Sequence, residues 1–314
     1  MAPKRPKWWE AFKKPARRYR EKALPDDWRK VGPMLGLVGY LSRRTPYFRG
    51  KGRLTEKVFH RWTKRKRLVQ IVRLTRQLRM KCKLWDEVQH NIWWLGPRYE
   101  LKETRFFRRY LKAGMVFFDV GANVGYYSLL AADILNDGSI HSFEPVGQQY
   151  EDLMENLQRN ELTNVTVNRL IMSNRSGSLD IHLGSEDNSG SASVEFVYRE
   201  ADAGKETVEC TTLDEYVKKH EIRQIDVIKI DTEGHETSVL QGAQETLQKF
   251  KPLLLIEVRG EMLEEIGSSR EQFYQQMKDL GYQAYELKRN GRPVKMLKPA
   301  DGNLVVFSAT ELIT

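Results

Sequence analysis

Between Asp231 and Glu236, in the run I-D-T-E-G-H-E, three carboxylates and one imidazole fall within six residues. Asp231 closes an apolar run, and Glu236 opens a stretch with helical spacing. Groups of these types at a strand-to-helix turn can take a proton from a hydroxyl or hold a hard divalent cation. His235 would stand near the positive end of a helix dipole. That end disfavours imidazolium and leaves a neutral ring able to accept a proton. Asp231 is the other candidate base, or the group that orients the acceptor. Glu233 has a functional and a structural reading of equal weight, whereas Glu236 in the first helical turn complements the dipole. Asp231, Glu233, His235 and the later Glu257 offer oxygen and nitrogen ligands to a metal. Nothing in their spacing demands one, and none is expected.

A second constellation lies upstream, in M-V-F-F-D-V-G-A-N-V-G-Y-Y-S-L-L-A-A over residues 115–132. An apolar run ends at Asp119, a small-residue loop follows from Gly121 to Gly125, and a helical segment comes next. A strand running through a glycine loop into a helix can hold a nucleotide. The dinucleotide fingerprint is G-x-G-x-x-G, whose second glycine lets the backbone approach a pyrophosphate. Here that position is Asn123 and the third glycine is missing. Asn still tolerates the left-handed turn conformation. The loop therefore suits an adenosine ligand without a phosphate better than it suits NAD. Glu144, at the end of the next apolar run, can accept both hydroxyl hydrogens of a ribose. NAD and S-adenosyl-L-methionine share that ribose, so Glu144 alone does not choose between them.

The elements that must carry these residues alternate. Strands are expected at 115–120, 139–145, 164–172, 226–231 and 252–258, with helices over 124–136, 147–161, 236–249 and 269–280. Two β-like runs close the chain, at 283–289 and 303–309. Such alternation argues for a mostly parallel, doubly wound α/β sheet with ligands beyond the carboxyl ends of its strands. Asp119, Glu144, Asp231 and Glu257 each close an apolar strand. An insert at 173–212 holds two β-like pieces, S-L-D-I-H-L and S-A-S-V-E-F-V, expected as a hairpin that either overhangs the site or decorates an edge.

In combination, F-F-D-V-G-A-N-V-G, S-F-E-P, T-T-L-D-E-Y, D-V-I-K-I-D-T-E-G-H-E and L-L-L-I-E-V resemble the FkbM family of S-adenosylmethionine-dependent methyltransferases over roughly residues 100–310. The resemblance implies a class I methyltransferase fold, Rossmann-like, with a seven-stranded sheet whose last strand is antiparallel. It implies O-methylation of a hydroxyl on a sugar, a glycan or glycolipid, or a secondary metabolite. Asp119, Gly121, Asn123 and Gly125 would surround the methionine part of S-adenosyl-L-methionine, Glu144 would hold the ribose, and Ser173 and Asn174 would lie near the adenine. Asp231, Glu233 and His235 are then the catalytic candidates. A dehydrogenase is disfavoured by the loop, and a binding-only protein by the chemical competence of every motif position.

Charge divides the chain. Residues 1–100 hold 28 Lys and Arg against 8 Asp and Glu, and the remainder holds 24 against 34. All seven tryptophans fall within the first 94 residues. A basic N-terminal extension over 1–99, partly helical, is therefore expected ahead of a methyltransferase domain over 100–314. Residues 53–85 read as a helix with Leu68, Ile71, Leu78 and Cys82 on one face. The arm has three readings: contact with an anionic membrane through residues 1–94, a nucleic-acid contact that would make this an RNA methyltransferase, or a helical cap on the catalytic domain. Two distant cysteines exclude a disulfide scaffold and a cysteine zinc site. No apolar run reaches the roughly 18–20 residues of a membrane span. The basic start lacks the apolar core of a signal peptide. A cytoplasmic, possible membrane-peripheral location is the expectation.

Overall fold

The computed structural model describes residues 63, 65, 67–135, 137–196 and 204–312. The arm readings for residues 1–62, and the first part of the helix expected over 53–85, lie outside the described residues.

Residues 69–83 correct that helix. They form an antiparallel ribbon of β1 (Val69–Arg73) and β2 (Arg79–Lys83). The buried side chains are Val72 and Leu74, then Leu78, Met80, Cys82 and Leu84, a period of two rather than 3.6. Ile71, expected on the apolar helix face, is 50% exposed. The ribbon docks through its outer edge on two later helices, Glu87–Leu95 and Gly147–Arg159. The amides of Arg79, Lys81 and Lys83 donate to the side chains of Asn160, Asn156 and Gln89. These bonds blunt an edge that would otherwise pair with another strand. Lys81 and Lys83 reach Glu155 and Asp152 at 2.5 and 2.6 Å. Part of the basic charge of the extension is thus used in holding it to the domain.

Helix α1 (Glu87–Leu95), capped by Asp86, and α2 (Leu101–Tyr110) lead into the main sheet. The core elements are β3 (Val116–Val120), α3 (Tyr126–Leu135), β4 (Ser139–Phe143), α4 (Gly147–Arg159) and β5 (Val165–Asn168). After the insert come α5 (Leu213–Lys219), β9 (Val227–Ile230), α6 (Glu236–Gln241), α7 (Gln244–Phe250) and β10 (Leu253–Val258). The chain closes with α8 (Gly260–Glu265), α9 (Arg270–Asp279), β11 (Gln283–Leu287), β12 (Pro293–Lys295) and β13 (Gly302–Ser308).

Eight of the described strands make one sheet in the order β12-β11-β13-β10-β9-β3-β4-β5. Strands β10, β9, β3, β4 and β5 run parallel, and β13 is antiparallel to both β10 and β11. This is the expected class I arrangement, with the short β12 added at one edge. The central strands are covered on both faces. Phe117 of β3 packs edge-on against Phe107 of α2, while its neighbour Phe118 turns to the opposite side and meets Tyr216 of α5. Burial on both faces explains why these strands read as continuous apolar runs. Among the described residues no helix is long and apolar enough to cross a membrane.

Three further expectations change. The strand over 164–172 breaks, and its end, β6 (Ile171–Met172), joins a separate sheet with β7 (Gly177–His182) and β8 (Lys205–Thr211). β7 therefore pairs with β8, not with S-A-S-V-E-F-V. That segment makes only the His182–Ser193 bridge among its described residues. The helix over 236–249 divides at Gly242, where a Cβ would stand 2.0 Å from the Ser173 carbonyl oxygen. The close crossing there and the new cap that Asp214 supplies to the amides of Glu245 and Thr246 start a second helix.

Candidate active site at the switch point of the sheet

From β3 the chain winds outward through β4 and β5, then returns to β9 on the other side of β3. The crevice of a doubly wound sheet opens at such a reversal. Here the ends of β3 and β9 touch. A Cβ on Gly121 would lie 1.8 Å from the Asp231 carbonyl oxygen, and Gly121 has φ +76°. Only glycine fits this crossing. Asn123 adopts φ 49°, the left-handed turn expected of it. The crevice is a cavity of ≈ 820 Å³, within the range of small-molecule sites.

Lys229 is the hub beneath it. Its side chain is 4% exposed, and its Nζ lies 3.3 Å from Asp231 and 3.5 Å from Asp119. It also donates to the Gly121 carbonyl at 3.0 Å. Burial alone would lower the ammonium pKa, but Asp231, Asp119 and Glu100 raise it well above the ordinary lysine value. Asp119 is wholly buried and does not line the cavity; it accepts from the Ser128 hydroxyl at 2.5 Å. Its place is under the loop, as an anchor for Lys229 and α3. Sequence reading passed over Lys229, although a lysine inside the apolar run V-I-K-I is a signal of a buried charge pair.

Glu144 does line the cavity and is 5% exposed. Its two oxygens accept from the amides of Asn123 and Val146, at 2.8 and 2.9 Å. Burial pushes its carboxyl up to about 7 against these bonds. Glu100, also on the cavity wall, is likewise pushed up to about 7 by burial and accepts from the Tyr127 hydroxyl. It was missed because it precedes the recognisable motifs. Gly125 is packed against Leu153 of α4.

On the far wall the structure brings together Asp231, Glu233 and Glu257, with carboxylate oxygens all within 4.8 Å of one another. His235 is not part of that group. Its Nδ1 lies 2.6 Å from Glu195 and its Nε2 3.0 Å from the Ser173 hydroxyl, so both ring nitrogens are engaged. Glu195 is held below the usual carboxylate range, chiefly by its bond to His235. The ring is thus fixed by partners from the insert and from the turn after β6, beyond the helix end considered in the sequence. Glu236, expected to complement the helix dipole, also accepts from the amides of Thr232 and Gly234 and so closes the turn before the helix. Glu233 holds φ 53°, and burial followed by repulsion from Asp231 pushes its carboxyl up to about 8. Arg259 approaches Glu257 at 2.6 Å and Glu233 at 3.4 Å.

Ser173 is buried behind His235, and Asn174 is exposed and bonds Gln241. Neither lines the cavity. The nearby wall is formed instead by Ile171 and Met172 of β6, because the break after β5 carries the turn one step past the crevice.

The insert overhangs the site. The Asp86 carboxylate that caps α1 also accepts from the Ser189 amide at 2.6 Å, and the Ser189 carbonyl accepts from Asn123 and Gln149. Ser193 donates to the Glu233 carbonyl at 2.7 Å. Ser189 and Ser193, in the middle of the insert, are thus tied to the loop and to the carboxylate turn.

Residues 119–284 match the model of the methyltransferase FkbM domain. The hexuronic acid methyltransferase AglP of Haloferax volcanii (strain DS2) is 28% identical over 143 residues, 46% of this chain and 55% of the relative. The chain thus spans about half the length of that curated relative. Among solved structures, the FkbM methyltransferase of Methylobacillus flagellatus KT is 15% identical with a TM-score of 0.44, covering 90% of this chain and 61% of that one. TYW2 of M. jannaschii in complex with AdoMet is 15% identical with a TM-score of 0.38, covering 76% and 84%. With a family match that covers more than half of its length, the chain belongs to the FkbM methyltransferase family.

Proposed function

We propose that this chain is an S-adenosyl-L-methionine-dependent O-methyltransferase acting on a hydroxyl of a sugar, a glycan or a related polyol. The observation that supports it most is the convergence of three features on one cavity. These are a left-handed Asn123 turn without pyrophosphate glycines, the buried Glu144 carboxylate, and the carboxylate turn opposite. The residues fit the cofactor. Glu144 has each oxygen fixed by a backbone amide, which leaves lone pairs for a ribose diol. Gly121 lets the loop cross tightly against the Asp231 carbonyl, and residues 121–124 of that loop line the cavity. When bound, S-adenosyl-L-methionine supplies an electrophilic methyl group to an in-line acceptor. The protein must align a hydroxyl and accept its proton. Asp231, oriented by Lys229 and 29% exposed on its side chain, and Glu233 on the same wall are the groups this reading assigns to that proton. His235 acts as a positioning residue that joins Ser173 to the cover. The relative that acts on a hexuronic acid supports a sugar acceptor for this chain.

The test is calorimetric titration of the full chain with S-adenosylhomocysteine and, separately, NAD, on the wild type and on Glu144→Ala. Binding of S-adenosylhomocysteine alone, weakened by the substitution, is expected; binding of NAD alone would overturn the reading. Transfer of labelled methyl to candidate sugars then identifies the acceptor. An alkali-stable label marks an ether on a hydroxyl, as proposed, and an alkali-labile one an ester on a carboxylate, which would refute the hydroxyl.

A further inference from the structure

The wall opposite Glu144 holds more negative charge than the nearby cations balance. Asp231, Glu233 and Glu257 share two cations, Lys229 and Arg259, and Lys229 is divided between Asp231 and the buried Asp119 beneath the loop. Lys229 is committed to Asp119, Asp231 and the Gly121 carbonyl. Arg259 sits at the rim with a side chain 45% exposed, and it engages Glu257 through Oε1. The other oxygen, Oε2 of Glu257, is buried and receives no hydrogen bond, in a residue only 6% exposed. A buried carboxylate oxygen without a donor is costly and calls for a partner. One carboxylate oxygen from each of Glu257, Asp231 and Glu233 lies within 4.8 Å of the other two.

We infer that Asp231, Glu233 and Glu257 form a binding site for one hard divalent cation. All three donors are carboxylate oxygens, the set that hard cations select. Two ligands of one ion stand at most twice the metal–oxygen distance apart, about 4.2 Å for Mg²⁺ and about 5 Å for Ca²⁺. The cluster satisfies the larger limit as it stands and the smaller after a slight contraction. Three protein ligands leave further positions open toward the cavity, where water or acceptor hydroxyls complete the shell. The acceptor's role rests on the proposed function; the ion site itself does not.

The experiment uses full-length protein stripped with chelator. Mn²⁺ is titrated, and free Mn²⁺ is followed by electron paramagnetic resonance, with Mg²⁺ and Ca²⁺ as competitors. One saturable site is expected, weakened at least 10-fold by Glu257→Gln and by Glu233→Gln, each variant retaining S-adenosylhomocysteine binding as its measure of folding. Absence of a stoichiometric site in the wild type, or affinity unchanged by both substitutions, would overturn the inference. Displacement of Mn²⁺ by S-adenosylhomocysteine would also overturn it, by assigning the cluster to the cofactor's ammonium group. Cofactor binding without Mn²⁺ binding removes the ion site and leaves the methyltransferase reading intact. Mn²⁺ binding without cofactor binding supports the ion site and sinks that reading.

Discussion

Replacing Lys229 with Met keeps most of the side-chain volume and removes the ammonium. In the wild type that ammonium lies 3.5 Å from Asp119 and 3.3 Å from Asp231, on a side chain 4% exposed. At an effective dielectric constant of about 20, each pair contributes roughly 4–5 kcal/mol of attraction. Much of this offsets the cost of burying the charges. The larger effect of the substitution is to strand the Asp119 carboxylate, which is 0% exposed and keeps only the Ser128 hydroxyl as a donor. Removing one partner of a buried pair costs about 3–5 kcal/mol. With a urea slope of about 2–3 kcal/mol/M, the unfolding midpoint should fall by about 1–2 M. The deficit carries a pH signature. Burial already raises the Asp119 carboxyl while Lys229 pulls it down, so losing Lys229 raises it further. A carboxyl whose folded pKa exceeds its unfolded value loses stability as pH rises through the folded value. The gap between wild type and Lys229→Met should therefore be larger at pH 8 than at pH 5. Lys229→Met combined with Asp119→Asn should recover a substantial part of it. A loss below about 1 kcal/mol that is flat with pH would refute the assignment of Lys229 as the electrostatic hub.

Glu144, pushed up to about 7, predicts opposite trends for the free and the bound protein. The free protein holds a proton that the unfolded chain has released. This group's contribution to stability is thus present below the ordinary glutamate value and lost as pH rises through about 7. If the ionised carboxylate accepts the ribose hydroxyls, S-adenosylhomocysteine should bind about 10-fold tighter at pH 8 than at pH 6 by calorimetry, and Glu144→Gln should flatten that slope. Gly121→Ala should separate the ends of β3 and β9 and abolish cofactor binding, because its Cβ meets the Asp231 carbonyl at 1.8 Å. Gly267→Ala, at φ +77° with open space around it, should cost only about 1–2 kcal/mol in denaturant melts and leave binding intact. Asp231→Asn should bind cofactor yet lose roughly 10²- to 10⁴-fold in methyl transfer. Near-normal turnover would remove Asp231 from the chemistry.

Local rules carried the sequence reading a long way. The alternation of apolar strands with helices announced a doubly wound sheet, since strands covered on both faces must be apolar throughout. The Gly121–Gly125 loop was legible because a left-handed Asn and a missing glycine act within five residues. What failed was decided by partners distant in sequence. The ribbon at 69–83 has basic residues that satisfy a helical period as well as a strand period. Contact with Asn156 of α4 and with Asn160 just beyond its end, 75 and 81 residues on, favours the strand. The division of the helix over 236–249 follows from a crossing with Ser173 that no window around Gly242 contains. Glu257 meets Asp231 only because β10 lies beside β9 in the sheet. The bonds that engage both nitrogens of His235 come from Ser173 and from Glu195 in the cover, 62 and 40 residues away. Sequence by itself determined the strand–helix alternation of the main sheet and which residue types end its strands. Only the tertiary structure decided which carboxylates share a wall, which lysine neutralises them and what closes over the cavity, because charge and packing act through space at a few ångströms regardless of separation along the chain.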